Sequence, residues 1–173
     1  MPIDGKTFKR VLSHWASGVT VITCSRDGEV HGMTASSFSS LSLDPPLVLV
    51  CVHRENFTHA YLQEAQAFGI QLLAVGMEDL SNRCAGFQGE NGHWLTEFPH
   101  RTEVTGAPIL EGMLAWLDCS LWRTYEGGDH TIFVGEIQAG GAQDGWPLLW
   151  FNRGYRQLSD SAERGNGHGP TLE

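Results

Sequence analysis

Eight consecutive residues, Met33-Thr34-Ala35-Ser36-Ser37-Phe38-Ser39-Ser40, carry the most informative chemistry in the chain. Side chains alternate between faces along a strand. Ala35, Ser37 and Ser39 therefore share one face, and Thr34, Ser36, Phe38 and Ser40 the other. A row of small side chains lets a flat ring lie against the backbone. Hydroxyls and free N–H groups at its end bind phosphate oxygens without a full positive charge. The same residues also suit an edge strand with solvated serines. A second stretch, Cys51-Val52-His53-Arg54-Glu55-Asn56-Phe57-Thr58, leaves an apolar run and enters a helix. A helix N-terminus favours a phosphate, and Asn56 and Thr58, with Arg54 nearby, offer polar contacts. Asn56 serves equally well as a plain helix cap. In a third stretch, Gly127 to Glu136, a polar turn delivers His130 to the start of an apolar strand. A lone histidine there is within reach of both a pocket and solvent, although such histidines are more often structural.

Other constellations point nowhere. The eight histidines show no HxH or HExxH spacing, so no metal site is expected. There is no GxSxG elbow for a hydrolase nucleophile, and neither GxGxxG nor GxxxxGK[ST] occurs. Trp116 and Trp122 flank Asp118 on one strand face and read as core packing. Cys24, Cys51, Cys84 and Cys119 are widely spaced and form no CxxC, which suits buried, reduced thiols.

These stretches must be held by regular elements. Asp4 to Ala16 reads as a helix capped by Asp4, with Phe8, Val11, Leu12 and Trp15 on one face. Gly18 to Cys24 (GVTVITC) is a β-branched strand. Arg26-Asp27-Gly28-Glu29 turns the chain into a return strand from about Val30 to Leu41. Asp44-Pro45-Pro46 enforces an extended entry to Leu47–Val52, a run short enough for a strand buried on both faces. A short helix over Asn56–Gln66, a strand over Ala67–Ala74 and a second short helix over Glu78–Ala85 follow. Gly86 to Gly106 has few periodic positions and is expected to be a long loop, a lid or a partner-facing segment. Strands return at Ala107–Leu110, Met113–Arg123, Thr131–Ala139 and Leu148–Phe151. Six or seven strands with three short helices and no regular βαβ alternation predict a mainly β fold, a closed antiparallel barrel.

The chain has 173 residues, of which 41% are hydrophobic and 18% charged, enough for one domain with a sizeable core. The expected domain covers residues 1–158, and 159–173 reads as a flexible tail without large apolar residues except Leu172. A net charge of −9 argues against nucleic acid or an anionic membrane as partner. No apolar run approaches a membrane span and no signal-peptide core opens the chain, so a cytoplasmic location is expected.

Taken together and in order, SGVTVIT (Ser17–Thr23), HGMTASSFSSLSLDPPLVLVCV (His31–Val52), GDHTIFVGEI (Gly128–Ile137) and PLLWFNRGYRQL (Pro147–Leu158) resemble the short flavin reductases. These are the small components that feed reduced flavin to two-component flavin monooxygenases. The resemblance implies a flavin-binding split barrel, a homodimer and a transient partner monooxygenase. It implies FMN or FAD as flavin and NADH or NADPH as hydride donor. Thr34, Ala35, Ser36 and Ser37 would line the flavin. Cys51, Val52, Asn56 and Thr58 would continue that site, the last two near the phosphate. Arg83 would pair with phosphate, although Cys84 stands where the family more often has an aromatic. Tyr155 would approach the flavin, and His130 would sit beside the nicotinamide as the catalytic residue. Two other readings remain: an enzyme with a fixed flavin acting on an organic substrate, and a flavin-binding module without turnover.

Overall fold

A computed structural model describes residues 2–86 and 93–158. Helix α1 spans Gly5–Leu12, and the Asp4 carboxylate caps it by accepting the Lys6 and Thr7 amides at 2.8 and 2.9 Å. It stops short of the predicted Ala16. The Ser13 carbonyl is taken by the Asn152 amide at 2.8 Å, and His14 and Trp15 bond three residues back, which tightens the last turn. The apolar face is present but uncovered: Phe8, Val11, Leu12 and Trp15 are all exposed.

The strands are β1 (Ser17–Gly18), β2 (Thr20–Arg26), β3 (Glu29–Ala35), β4 (Ser39–Leu43), β5 (Pro46–His53), β6 (Ala67–Leu72), β7 (His100–Thr102), β8 (Pro108–Leu110), β9 (Ala115–Gly127), β10 (His130–Ala142), β11 (Leu149–Phe151) and β12 (Gly154–Arg156). Helices α2 (Phe57–Ala65) and α3 (Glu78–Cys84) lie between them. Seven strands form one antiparallel sheet in the order β3-β2-β6-β9-β10-β5-β4. The predicted return strand is two strands, broken at residues 36–38.

Mainly β architecture is as expected, but closure is not: β3 and β4 are both free edges of the hydrogen-bonded ladder. Those two edges are nevertheless neighbours in the chain. Ala35 ends one and Ser39 begins the other, so they are within about 14 Å of each other. The sheet must curl until its ends nearly meet. Its inner face carries one core cluster, with Ile22, Val50, Phe68, Ile70 and Phe133 at its heart and Leu62 of α2 packed in. Gly135 permits this packing, because a Cβ there would sit 2.5 Å from the Phe68 ring.

The outer face carries a second cluster, including Val21, Leu73, Leu95, Leu110 and Leu148. Leu95 belongs to a short 3-10 turn, His93–Glu97, and is fully buried. The Thr96 hydroxyl accepts the Val30 amide at 2.9 Å, and β7 pairs with β8. The expected loop from Gly86 to Gly106 is thus pinned over the β3 edge from residue 93 onward, while residues 87–92 lie outside the described residues. β5 differs from prediction too: Val48, Val50 and Val52 are buried, whereas Leu47, Leu49 and Cys51 are half-buried. Trp122 is not core. It sits at a β-bulge, opposite the shift between Val134 and Gly135, and is exposed. Asp118 is fully buried and accepts the Val104 and Thr105 amides, at 2.7 and 2.9 Å, and the Thr105 hydroxyl. The predicted tail, 159–173, lies outside the described residues.

Candidate active site at the opening of the sheet

Two clefts adjoin the link between β3 and β4. The smaller, about 170 Å³, has Thr34, Ala35 and Ser36 on one side. Ser81 of α3 and its C-cap Ala85 bound it on another side, and Trp150 and Tyr155 of β11 and β12 form a third. The larger, about 830 Å³, lies between α1 and the link, with Phe8, Leu12 and Trp15 facing Ser36, Ser37 and Phe38. Ser36 and Trp150 line both, so the clefts are adjacent.

The walls are held by specific bonds. The Thr34 hydroxyl donates to the Ser81 carbonyl at 2.6 Å, docking α3 on β3. The Tyr155 hydroxyl donates to Asn82 Oδ1 at 2.7 Å, and its ring meets Trp150 edge-on at 5.1 Å. Ser81 Oγ is buried without a hydrogen-bond partner, a polar atom left over beside the cleft. The larger cleft carries Lys9 and Arg153 and no acidic side chain, in a chain of net charge −9. Small side chains on the floor, aromatic walls, an orphaned hydroxyl and a cationic rim suit a flat heterocycle bearing an anionic tail.

A second polar group lies at the C-terminal end of β5, past Cys51. There the β9–β10 turn meets the N-terminus of α2: Arg54 N–H donates to the Asp129 carbonyl and Asn56 N–H to the His53 carbonyl, each at 3.0 Å. His130 Nδ1 donates to Asp129 Oδ1 at 2.7 Å, and His130 packs edge-on against His53 at 5.1 Å. The hydrogen bond from His130 holds the Asp129 carboxyl below its ordinary range. His59 Nε2 lies 2.8 Å from the Thr131 hydroxyl; burial, then the Arg54 charge, lowers its pKa. Among the described residues no group of three or more His, Cys, Asp or Glu is arranged for a metal ion.

Residues 12–159 match the family described as "Flavin reductase like domain". The chain belongs to that flavin reductase family. It is 35% identical over 175 residues to the NADH-dependent FAD reductase of Streptomyces globisporus, covering 95% of this chain and 91% of that protein. It is 40% identical over 156 residues to the reductase component of 4-hydroxyphenylacetate 3-monooxygenase from Thermus thermophilus, covering 88% and 96%. Among solved structures, the Streptomyces globisporus NADH:FAD oxidoreductase SgcE6 in complex with NAD and FAD fragments superposes with a TM-score of 0.84 at 34% identity. That match covers 94% of this chain and 99% of the other.

In this flavin reductase family member, the expected site residues fall into separate groups. Thr34, Ala35, Ser36 and Tyr155 come together in the smaller cleft, and Ser36 and Ser37 line the larger. Cys51 is tied to Ser37 through its backbone. Arg83 stands on α3 between Ser81 and Ala85. Val52 turns its side chain into the core. Asn56 caps α2 by accepting the Thr58 amide at 3.0 Å, and Thr58 is only 4% exposed. Asn56, Thr58 and His130 are not among the described residues lining either cleft. Sequence reasoning missed Ser81 and Ala85, whose four-residue spacing puts them on one helix face, and Trp150, which stands within the closing strand. It missed His53 as a partner of His130 because only the β5–β10 register sets them opposite one another.

Proposed function

We propose that the protein is an NAD(P)H:flavin oxidoreductase that reduces FMN or FAD and hands reduced flavin to a partner monooxygenase. The carrying observation is the smaller cleft, where small β3 residues form a floor beneath the Trp150–Tyr155 wall. NADH is the favoured donor, because the Streptomyces relative is named an NADH-dependent FAD reductase and covers nearly the whole chain. The Thermus relative is a monooxygenase reductase component, which supports a partner oxygenase.

When bound, the flavin supplies acceptance of a hydride from reduced nicotinamide. The chain's task is then positioning. Backbone at Thr34–Ser37 and Cys51 would face the ring, with the Ser36 and Ser81 hydroxyls toward its polar side chain. Arg83, aided by Asn56 and Thr58 near the α2 N-terminus, would hold phosphate. Tyr155 would cover the ring, and His130 would orient the nicotinamide. Val52 would contribute backbone only, since its side chain is core.

The curled sheet is read as a split barrel, with ends joined by the chain rather than by a ladder. The exposed apolar face of α1 fits a homodimer contact, and no helix among the described residues is long and apolar enough to cross a membrane. A cytoplasmic protein with a single domain over 1–158 completes the reading. The test is a steady-state assay of the four flavin and nicotinamide pairings. Oxidation of NADH or NADPH dependent on added flavin is expected. No oxidation with any pairing overturns the proposal.

A further inference from the structure

His130 does not stand alone. His53 ends β5 directly opposite it in the register, and the Asp129 carboxylate stands beside both rings. The chemistry of each contact fixes where the protons sit. The Glu55 backbone N–H donates to His53 Nδ1 at 3.2 Å, so that nitrogen carries a lone pair and the His53 proton is on Nε2. Nε2 faces Asp129 Oδ2 at 3.9 Å. On the other side, Asp129 Oδ1 is a carboxylate acceptor 2.7 Å from His130 Nδ1, so His130 carries its proton on Nδ1. His130 Nε2 is left with the lone pair, on a side chain 40% exposed. The edge-on packing of the rings at 87° fixes their relative tilt.

We infer that Asp129 and His53 form a positioning pair that fixes the tautomer and orientation of His130, so that His130 Nε2 meets the nicotinamide as an acceptor. This rests on the reading of His130 given above. Asp129 hydrogen-bonds His130 through Oδ1 and stands 3.9 Å from His53 Nε2 through Oδ2, and the two rings pack edge-on, so turning one imidazole disturbs the other. The remaining charged neighbours leave Asp129 to them: Arg54 of the β5–α2 link pairs with Glu126 of β9 at 3.6 Å, and His59 of α2 faces Thr131. A carboxylate behind a histidine holds the neutral ring in one tautomer and one orientation.

The test has two readouts. Long-range 1H–15N NMR on the flavin-free protein reports histidine tautomers without any turnover. His130 should show Nδ1–H and His53 Nε2–H, and Asp129→Asn should return His130 to a mixture of tautomers. In the coupled assay, Asp129→Asn and His53→Ala should each raise KM for the nicotinamide about tenfold with kcat changed less than threefold. His53→Gln, whose amide can still face Asp129, should recover part of the loss. A His130 Nε2–H tautomer in the native protein overturns the inference, as does an active Asp129→Asn variant with unchanged KM. A native protein with the expected tautomers but no nicotinamide oxidation instead overturns the reductase reading, and with it any catalytic use of this pair.

Discussion

The Ser37 side chain stands in for a strand backbone against Cys51. Its hydroxyl donates to the Cys51 carbonyl at 3.0 Å and accepts the Cys51 amide at 3.1 Å. The β4–β5 register, with Ser39 opposite Leu49, would place Ser37 opposite Cys51 if β4 began two residues earlier. The ladder therefore ends at Ser39 and one side chain carries the pairing a step further. Ser37→Ala leaves both Cys51 groups without this partner. A loss of about 1–2 kcal/mol is expected for a half-buried site. Urea unfolding checks it, and an unchanged midpoint contradicts it.

The smaller cleft should be easy to fill from its floor. Ser36 is exposed and lines both clefts. Ser36→Phe should raise the flavin Kd at least about tenfold, or about 1.4 kcal/mol, while the unfolding midpoint stays within about 0.5 kcal/mol of the native value. Flavin fluorescence titration beside a denaturation curve separates the two effects. Native affinity in a well-folded variant would mean that the flavin lies elsewhere.

Asp118 should matter for stability alone. It is buried and gathers two amides and a hydroxyl of the 104–105 turn. Asp118→Ala strands those donors and should cost about 2–4 kcal/mol. Asp118→Asn, which keeps one acceptor oxygen, should cost less. Equal losses for the two would show that the carboxylate geometry is irrelevant.

The cysteines predict an alkaline weakness. Burial pushes the Cys24, Cys84 and Cys119 thiols up to about 12, from an ordinary 9.0. The unfolded chain releases these protons above pH 9 while the folded chain keeps them to about 12. Their contribution is therefore complete below pH 9 and is lost progressively between 9 and 12. Unfolding midpoints measured across that range should fall. Burial raises the Cys51 thiol as well, but Cys51 is only half-buried. Alkylation of the folded protein followed by mass spectrometry should label Cys51 first.

Local signals in the sequence placed most elements. GVTVITC became β2, Asp27-Gly28 turned it into β3, and Asp4 capped α1 as its side chain requires. What escaped was set by distant partners. The break at residues 36–38 depends on Cys51, the end of α1 depends on Asn152, and the burial of Leu95 depends on β3. Trp122 looked like a core residue because strict alternation was assumed, and a bulge cancels alternation. Of the candidate site, the hydroxyl row and the Gly-Asp-His turn were legible as residue types. Their separation into a cleft and a histidine pair was not, since Asn56 and Thr58 look the same in sequence whether they bind an anion or cap a helix.

The order of the main sheet also governs how the chain can assemble. β5 seats against β10, joining Val50 to Phe133, and β6 against β9, joining Ile70 to Leu117. Closing such long loops costs entropy before any contact repays it, which puts refolding on a scale of milliseconds to seconds. During that interval the apolar β5 segment waits for a strand made much later in synthesis, and it is the segment most exposed to off-pathway association.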